Sequence, residues 1–149
     1  MSYSYTQATT RRAPVQTVTL VIALVFTLVG VLGFIPGVTT GFDSMTFAGH
    51  HSDALLLGVF EVSVLHNVVH LLFGVVGFMM MRTAGAAVTY LLTGGAIYLV
   101  LWLYGLLIDL DSAANFVPVN DADNWLHLAL AVGMLALGAV FSRQAKRAA

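Results

Sequence analysis

The sequence predicts an all-α membrane protein in which four transmembrane helices pack as a compact bundle. Hydrophobic residues make up 59% of the 149-residue chain and charged residues only 9%, whereas a soluble domain has about a quarter charged residues. Four apolar runs are each long enough to cross a hydrocarbon core of about 30 Å. They are helical because an open sheet would leave backbone groups without partners in lipid. The predicted spans are 15–38, 62–81, 84–108 and 125–141.

Charge segregation predicts the orientation. With four spans, all six basic residues fall on one side of the membrane, which the positive-inside rule makes cytoplasmic: Arg11, Arg12, Arg82, Arg143, Lys146 and Arg147. The seven acidic residues lie in or beside two outer loops, at 39–61 and 109–123. We therefore expect a plasma-membrane protein with two cytoplasmic tails, 1–14 and 142–149, around a transmembrane domain at 15–141.

Composition also removes several classes of function. The chain has no cysteine, which excludes disulfides, thiolate metal sites and covalently attached haem. Its basic and acidic residues nearly balance, so nucleic acid is not expected as a partner. No serine has the spacing of a catalytic triad, and no glycine-rich phosphate loop is present. An enzyme is therefore disfavoured.

The two outer loops differ in character. Residues 54–60 are apolar, which predicts a short interfacial helix that leads into the second span. Residues 111–123 combine Pro118 with several Asn and Asp residues and with apolar Phe116 and Val117. This composition predicts an ordered cap over the outer end of the helices.

Small and polar residues mark the faces through which membrane helices touch one another. In the second and fourth spans the residues assigned to packing are Asn67, Gly74, Gly77 and Asn124. The third span has a similar stripe of Thr89, Thr93 and Ala96. Tyr98, Trp102, Tyr104 and Trp125 suit the outer aromatic belt.

A weak internal repeat is also visible. Asn67 and His70 are spaced like Asn124 and His127, and Val18-Thr19 is matched with Val88-Thr89. This pattern is compatible with two pseudo-repeated hairpins of the parallel kind.

Three histidines lie within the predicted spans, where ionisable groups are costly and mark candidate functional sites. His66 and His70 share one helix face, and His127 on another span could complete a zinc or copper site with them. His70 and His127 are alternatively the two axial ligands of a haem b, with Gly74 giving the porphyrin room. The third reading is structural: the rings form hydrogen bonds to neighbouring helices beside Asn67 and Asn124.

Several segments resemble a bacterial family of integral membrane proteins known only as a domain of unknown function: FAGH, VLHNVVHLLFG, DSAANFVPVN and DNWLH. The resemblance covers about residues 18–138. It implies a four-span membrane protein, and it implies no catalytic residues. Because it includes the outer loops, it directs attention to the outer face.

The leading functional hypothesis is a non-catalytic structural, accessory or partner-binding component with an ordered acidic outer face. Its expected partners are the lipid bilayer and either another membrane protein or a second copy of the chain. The first alternative is a histidine-based metal-binding or haem-binding protein. The second alternative is a pH or cation sensor on the outer face.

Overall fold

Four helices dominate the residues that the structure describes. This computed structural model describes residues 12–50 and 52–147, with the backbone alone for 145–147. The helices are α1 (Pro14–Leu32), α2 (Val64–Met80), α3 (Ala84–Leu107) and α4 (Asp121–Arg147). Three helical stretches are long and apolar enough to cross a membrane: Pro14–Leu32, Ala84–Leu107 and Asp121–Gln144. The apolar helix α2 is shorter, with 17 residues.

Local hydrogen bonds set helix ends that differ from the predicted spans. The predicted run 15–38 is helical only to Leu32, because the Thr39 hydroxyl donates to the carbonyls of Leu32 and Gly33 and turns the chain there. Helix α4 is longer than the run 125–141 at both ends. Asn120 caps it at the outer end, and it continues through residues 142–147 of the predicted basic tail. Residues 1–11 of the other predicted tail lie outside the described residues.

The helices pack mainly in sequence-adjacent pairs, α1 against α2 and α3 against α4, and contacts between the pairs are fewer. Glycines allow the close approach within each pair. A Cβ at Gly74 would overlap the Thr27 hydroxyl, and a Cβ at Gly95 would lie 2.9 Å from the Leu135 nitrogen. Small residues are expected at such contacts, since lipid provides no hydrophobic drive for helix association.

Buried positions recur with one spacing in α2 and α4. In α2 they are His66, Asn67, His70, Gly74 and Gly77. In α4 the matching positions are Asp123, Asn124, His127, Ala131 and Met134. All four residues assigned to packing, Asn67, Gly74, Gly77 and Asn124, are thus buried.

The predicted packing face of α3 is wrong. Thr89, Thr93 and Ala96 are exposed, and each threonine hydroxyl donates to a carbonyl of its own helix, at Gly85 and Thr89 respectively. Such hydroxyls need no neighbouring helix. The buried face instead carries Ala87, Tyr90, Leu91, Gly94, Gly95, Tyr98 and Gly105.

The buried positions of α1 and α3 also give an alignment of these two helices that differs from the predicted repeat. Val15, Thr19, Ala23 and Phe26 are buried in α1 at the spacing of Ala87, Leu91, Gly95 and Tyr98. Thr19 therefore corresponds to Leu91, and its expected match with Thr89 is wrong.

The first outer loop forms a small sheet where an interfacial helix was expected. Strands β1 (Thr39–Thr40), β2 (Leu55–Leu56) and β3 (Phe60–Glu61) pair antiparallel in the order β1-β2-β3. Leu57 and Gly58 form the tight turn between β2 and β3 with positive φ values of 55° and 71°. Gly58 adopts such an angle at no steric cost, so the chain reverses here. Ala54, Leu56 and Val62 form a small core beneath the sheet.

A methyl group at Gly74 should destabilise the protein, because it would overlap Thr27 and crowd the Ala23 carbonyl oxygen at 3.1 Å. We expect Gly74→Ala to cost about 1–3 kcal/mol of unfolding free energy, as overpacking does elsewhere. Gly133→Ala is the matched control, since no atom of the described residues lies within 4 Å of its Cβ position. Thermal unfolding in detergent measures both, and equal melting temperatures would contradict the assigned helix contact.

Candidate functional site

The second outer loop is held in place by one buried amide. The Asn115 side chain donates to the carbonyl oxygens of Leu110 and Val119 and accepts from the Val119 nitrogen, each at 3.0 Å. The Tyr104 hydroxyl donates to the Ala114 carbonyl. The Gly49 nitrogen donates to the Phe116 carbonyl at 2.7 Å. This loop is therefore an ordered cap that is also joined to the first outer loop.

Asp123 connects the cap, α4 and the sheet. Its side chain is buried, and its Oδ2 atom accepts from the backbone nitrogens of Glu61 at 2.9 Å and Asn120 at 3.0 Å. The Asn120 side chain accepts in return from the Asp123 nitrogen at 3.0 Å. This reciprocal pair is a capping box at the start of α4. The Asn120 amide also donates to the Val59 carbonyl at 2.8 Å, which fixes the hairpin of β2 and β3.

Two histidines beneath the cap form a chain of hydrogen bonds. His66 Nδ1 lies 3.4 Å from the Pro118 carbonyl oxygen, and His66 Nε2 lies 3.0 Å from His70 Nε2. A carbonyl only accepts, so in neutral rings His66 carries its proton on Nδ1 and His70 donates from Nε2. His70 Nδ1 is then an acceptor, and it is buried with no partner among the described residues.

The ring of the third histidine, His127, makes no hydrogen bond to the described residues. Its Nδ1 atom is buried and has no partner among them. The His127 ring packs against Tyr98 with a centroid distance of 5.3 Å. Tyr98 in turn stacks on Phe26, whose ring meets the His70 ring edge-on at 5.5 Å. The three histidines and these two aromatic rings form one cluster in the centre of the helices.

Two asparagines sit against glycines at equivalent positions of the two helix pairs. A Cβ at Gly33 would overlap the Asn67 amide, and one at Gly105 would overlap the Asn124 amide. Both amide oxygens are buried without a hydrogen-bond partner among the described residues. The absence of a side chain at each glycine lets its helix approach the polar group closely, where a weak Cα–H···O contact is available.

The histidine cluster separates two small cavities. One, of about 100 Å³, lies between α2, α3 and the cap, and Tyr98, Tyr104 and Phe116 are among its lining residues. The other, of about 80 Å³, lies between α1, α4 and the hairpin, and its lining includes Val29, Phe60 and Asp123. His66, His70 and His127 line both cavities. The histidine cluster therefore borders both cavities.

The geometry gives no support to a metal or a haem at these histidines. Within residues 12–50 and 52–147, no three His, Cys, Asp or Glu side chains are arranged to hold a metal ion. A haem between His70 and His127 would need far more room than about 100 Å³, since pockets for drug-sized ligands take roughly 300–1,000 Å³. The His70 Nε2 atom is also engaged with His66.

Comparison with known proteins identifies the family. A family model described as a domain of unknown function (DUF4383) matches residues 16–140. The chain belongs to this family. The match confirms the resemblance seen in the sequence. No curated protein and no solved structure matches the chain. DUF4383 membership assigns no residue a role.

The structure brings His66, His70 and His127 together, and it adds residues that the sequence does not indicate. The sequence predicts Tyr98 in the outer aromatic belt, but Tyr98 is buried at the centre. Its spacing from Leu91, Gly94 and Gly95 was the available signal, because these residues share one helix face. No such signal marks Pro118, because it contacts His66 through its backbone carbonyl oxygen and not through its side chain.

Removing the Oδ2 atom of Asp123 should loosen the cap. In Asp123→Ala the backbone nitrogens of Glu61 and Asn120 both lose the acceptor that they share, and each lost hydrogen bond costs about 0.5–1.5 kcal/mol. We expect a lower melting temperature and faster proteolysis within residues 108–120. Asp121→Ala changes an exposed residue in the same helical turn and should have little effect. Equal proteolysis of the two variants would show that Asp123 does not hold the cap.

Proposed function

We propose that the protein crosses the plasma membrane four times, with α2 as the fourth span beside the three longer helices. Two observations support α2 as a span. Its surface-exposed residues are apolar, as lipid contact requires: Val68, Leu72, Val75, Val76 and Met79. Its 17 residues lie at the lower end of the range of about 17–25 for transmembrane helices. In this arrangement the four helices form a bundle of two hairpins, and the matched buried positions support a pseudo-repeat.

The same proposal places both termini in the cytoplasm. Arg12, Arg82 and Arg143 then lie on the inner side, and the acidic residues of the cap lie on the outer side, in keeping with the positive-inside rule. The sheet and the cap would face the exterior.

Single cysteines test this topology without interference, because the chain has none of its own. In intact cells an impermeant thiol reagent should label cysteines placed at the exposed positions Thr40 and Asp111. It should not label cysteines at the exposed positions Thr83 and Gln144 until the cells are permeabilised. Labelling from outside at Thr40, Thr83 and Gln144 but not at Asp111 would remove α2 as a span. Labelling at Thr83 and Gln144 with protection of Thr40 and Asp111 would overturn the orientation.

We further propose that the protein is a non-catalytic accessory component whose ordered outer face binds another membrane protein. The observation that carries this proposal is Leu57. It occupies the left-handed region at the tip of the hairpin, with φ 55°, and it is 63% exposed. Asn or Gly is the usual residue at such a turn position, and a bulky residue there is a genuine outlier.

The surroundings of Leu57 favour a protein contact. The hairpin is fixed by the Asn120 bond to Val59, so the exposed leucine is held on a rigid support. It lines the cavity of about 80 Å³ together with Val29 of α1 and Leu126 of α4, so the hairpin tip lies close to the helices of the proposed bundle. A membrane-embedded partner can therefore contact the hairpin and the helices together.

Leu57→Asn separates a binding role from a structural one. Asn tolerates left-handed backbone angles better than leucine, so the variant should be as stable as the wild type or more stable. In a separate variant, a photo-crosslinking residue at position 57 should capture the partner protein in native membranes. We expect Leu57→Asn to lose co-purification with that partner. Leu107→Asn is the control, because Leu107 is exposed at the end of α3, away from the hairpin.

The proposal predicts one discrete adduct at position 57, none at position 107, and loss of co-purification in Leu57→Asn alone. Crosslinking only to lipid would show that Leu57 is an anchor in the membrane interface. Co-purification that survives in Leu57→Asn would place the contact elsewhere. Either result would overturn the assigned surface.

A further inference from the structure

The cavity between α2 and α3 is lined by two residues whose side chains have unused hydrogen-bonding capacity among the described residues. They are His127 and Tyr98. The His127 Nδ1 atom is buried and has no partner there, and the Tyr98 hydroxyl makes no hydrogen bond to the described residues. Both residues are more than nine-tenths buried. A neutral imidazole offers one donor and one acceptor, and a phenol offers both. Buried polar groups without partners are costly, so they indicate a bound group that supplies the missing hydrogen bonds.

The remaining lining restricts the chemistry of that group. The rings of Phe73, Tyr104 and Phe116 and the aliphatic Val69 and Leu101 surround the polar atoms. None of the described residues that line this cavity is Lys, Arg, Asp or Glu, so a phosphate or an ammonium group would be buried among them without a counter-charge. Burial of an unpaired charge is strongly unfavourable. A neutral, flat head with oxygen atoms at its edge matches both the aromatic walls and the histidine and tyrosine groups.

An apolar groove continues from this cavity along the same two helices. It has a volume of about 270 Å³, shares Phe73 with the cavity, and is lined by Leu72, Val76, Met80, Gly94 and Ile97, among others. Contacts between α2 and α3 are few compared with those inside each helix pair. The groove is therefore an open seam on the side of the protein, and in the four-span arrangement it faces the acyl chains.

We propose that this seam binds a lipid-soluble quinone or quinol. The ring occupies the cavity beneath the cap, where His127 and Tyr98 contact its oxygen atoms, and the apolar tail lies along the groove. An apolar cavity of about 150 Å³ holds a benzene ring in another protein. This cavity of about 100 Å³ needs a modest enlargement, which the Phe116 ring provides by turning outward, because it is 57% exposed.

Binding of a benzoquinone with a ten-carbon tail to the full-length protein in detergent tests the proposal. We expect saturable binding by equilibrium dialysis and a higher melting temperature, with either the quinone or its quinol. Leu101→Trp fills the mouth of the cavity and should weaken binding at least tenfold. Leu103→Trp is the matched control, because Leu103 is similarly exposed on the same helix but does not line the cavity. It should bind as the wild type does.

Recognition of the ring is tested separately from burial of the tail. His127→Phe keeps a ring of similar shape and removes both nitrogens, so it should weaken quinone binding about tenfold. If this variant does not fold, decylbenzene provides the comparison in the wild-type protein, and it should bind much more weakly than the quinone. Equal binding of decylbenzene and quinone, or equal binding by Leu101→Trp and the wild type, would overturn the proposal. Competition by an anionic phospholipid at equal concentration would overturn it as well.

Discussion

One carboxylate oxygen determines how the outer part of this protein sits on its helices. Asp123 Oδ2 accepts from a strand of the first loop and from the last residue of the second loop. Both donors are partly buried backbone groups, and leaving such a group without its acceptor costs free energy. Because Asp123 belongs to α4 itself, the two loops are positioned relative to a helix and not only relative to each other. This attachment also positions the loop residues that line the two cavities, Phe116 in one and Phe60 in the other.

Below the cap, close backbone approach replaces large apolar side chains as the means of holding helices together. Gly33 and Gly105 lie against Asn67 and Asn124, and Gly74 lies against Thr27. Lipid solvates leucine as well as another helix does, so association has to come from tight van der Waals contact and weak polar contacts. Two aromatic rings lie at the centre, where Phe26 and Tyr98 stack beside the histidines. As a result, the helices are in close contact within each pair, and the contacts between α2 and α3 are sparse.

The sequence predicts an element correctly where one physical rule determines its structure, and wrongly where two rules compete. The apolar runs predict the helices, and the polar and small residues on the predicted packing faces of α2 and α4 are buried. The threonines of α3 have the same helical spacing, but their hydroxyls donate to carbonyls of their own helix. Composition alone does not distinguish such threonines from polar residues that face a neighbouring helix.

Residues 54–60 are apolar enough for a helix, yet Gly58 and pairing with β1 favour a hairpin. The contact from His66 to the Pro118 carbonyl joins residues far apart in sequence through a backbone atom. No side-chain pattern reports such a contact. The same limit applies to the cap, whose Asn115 could be recognised as a polar loop residue but not as the group that orders the loop.

The length of α2 has a consequence for the lipid around the protein. Its 17 residues rise about 25 Å at 1.5 Å per residue, whereas α3 has 24 residues. In a four-span arrangement the hydrophobic thickness therefore varies around the perimeter, and the bilayer has to thin beside α2 or the helix has to draw its flanking residues inward. Such mismatch costs a fraction of a kcal/mol per Å. Membrane proteins with a similarly short span would share the thinned zone at lower cost, so this side of the protein would gather such neighbours through the lipid, without any direct contact.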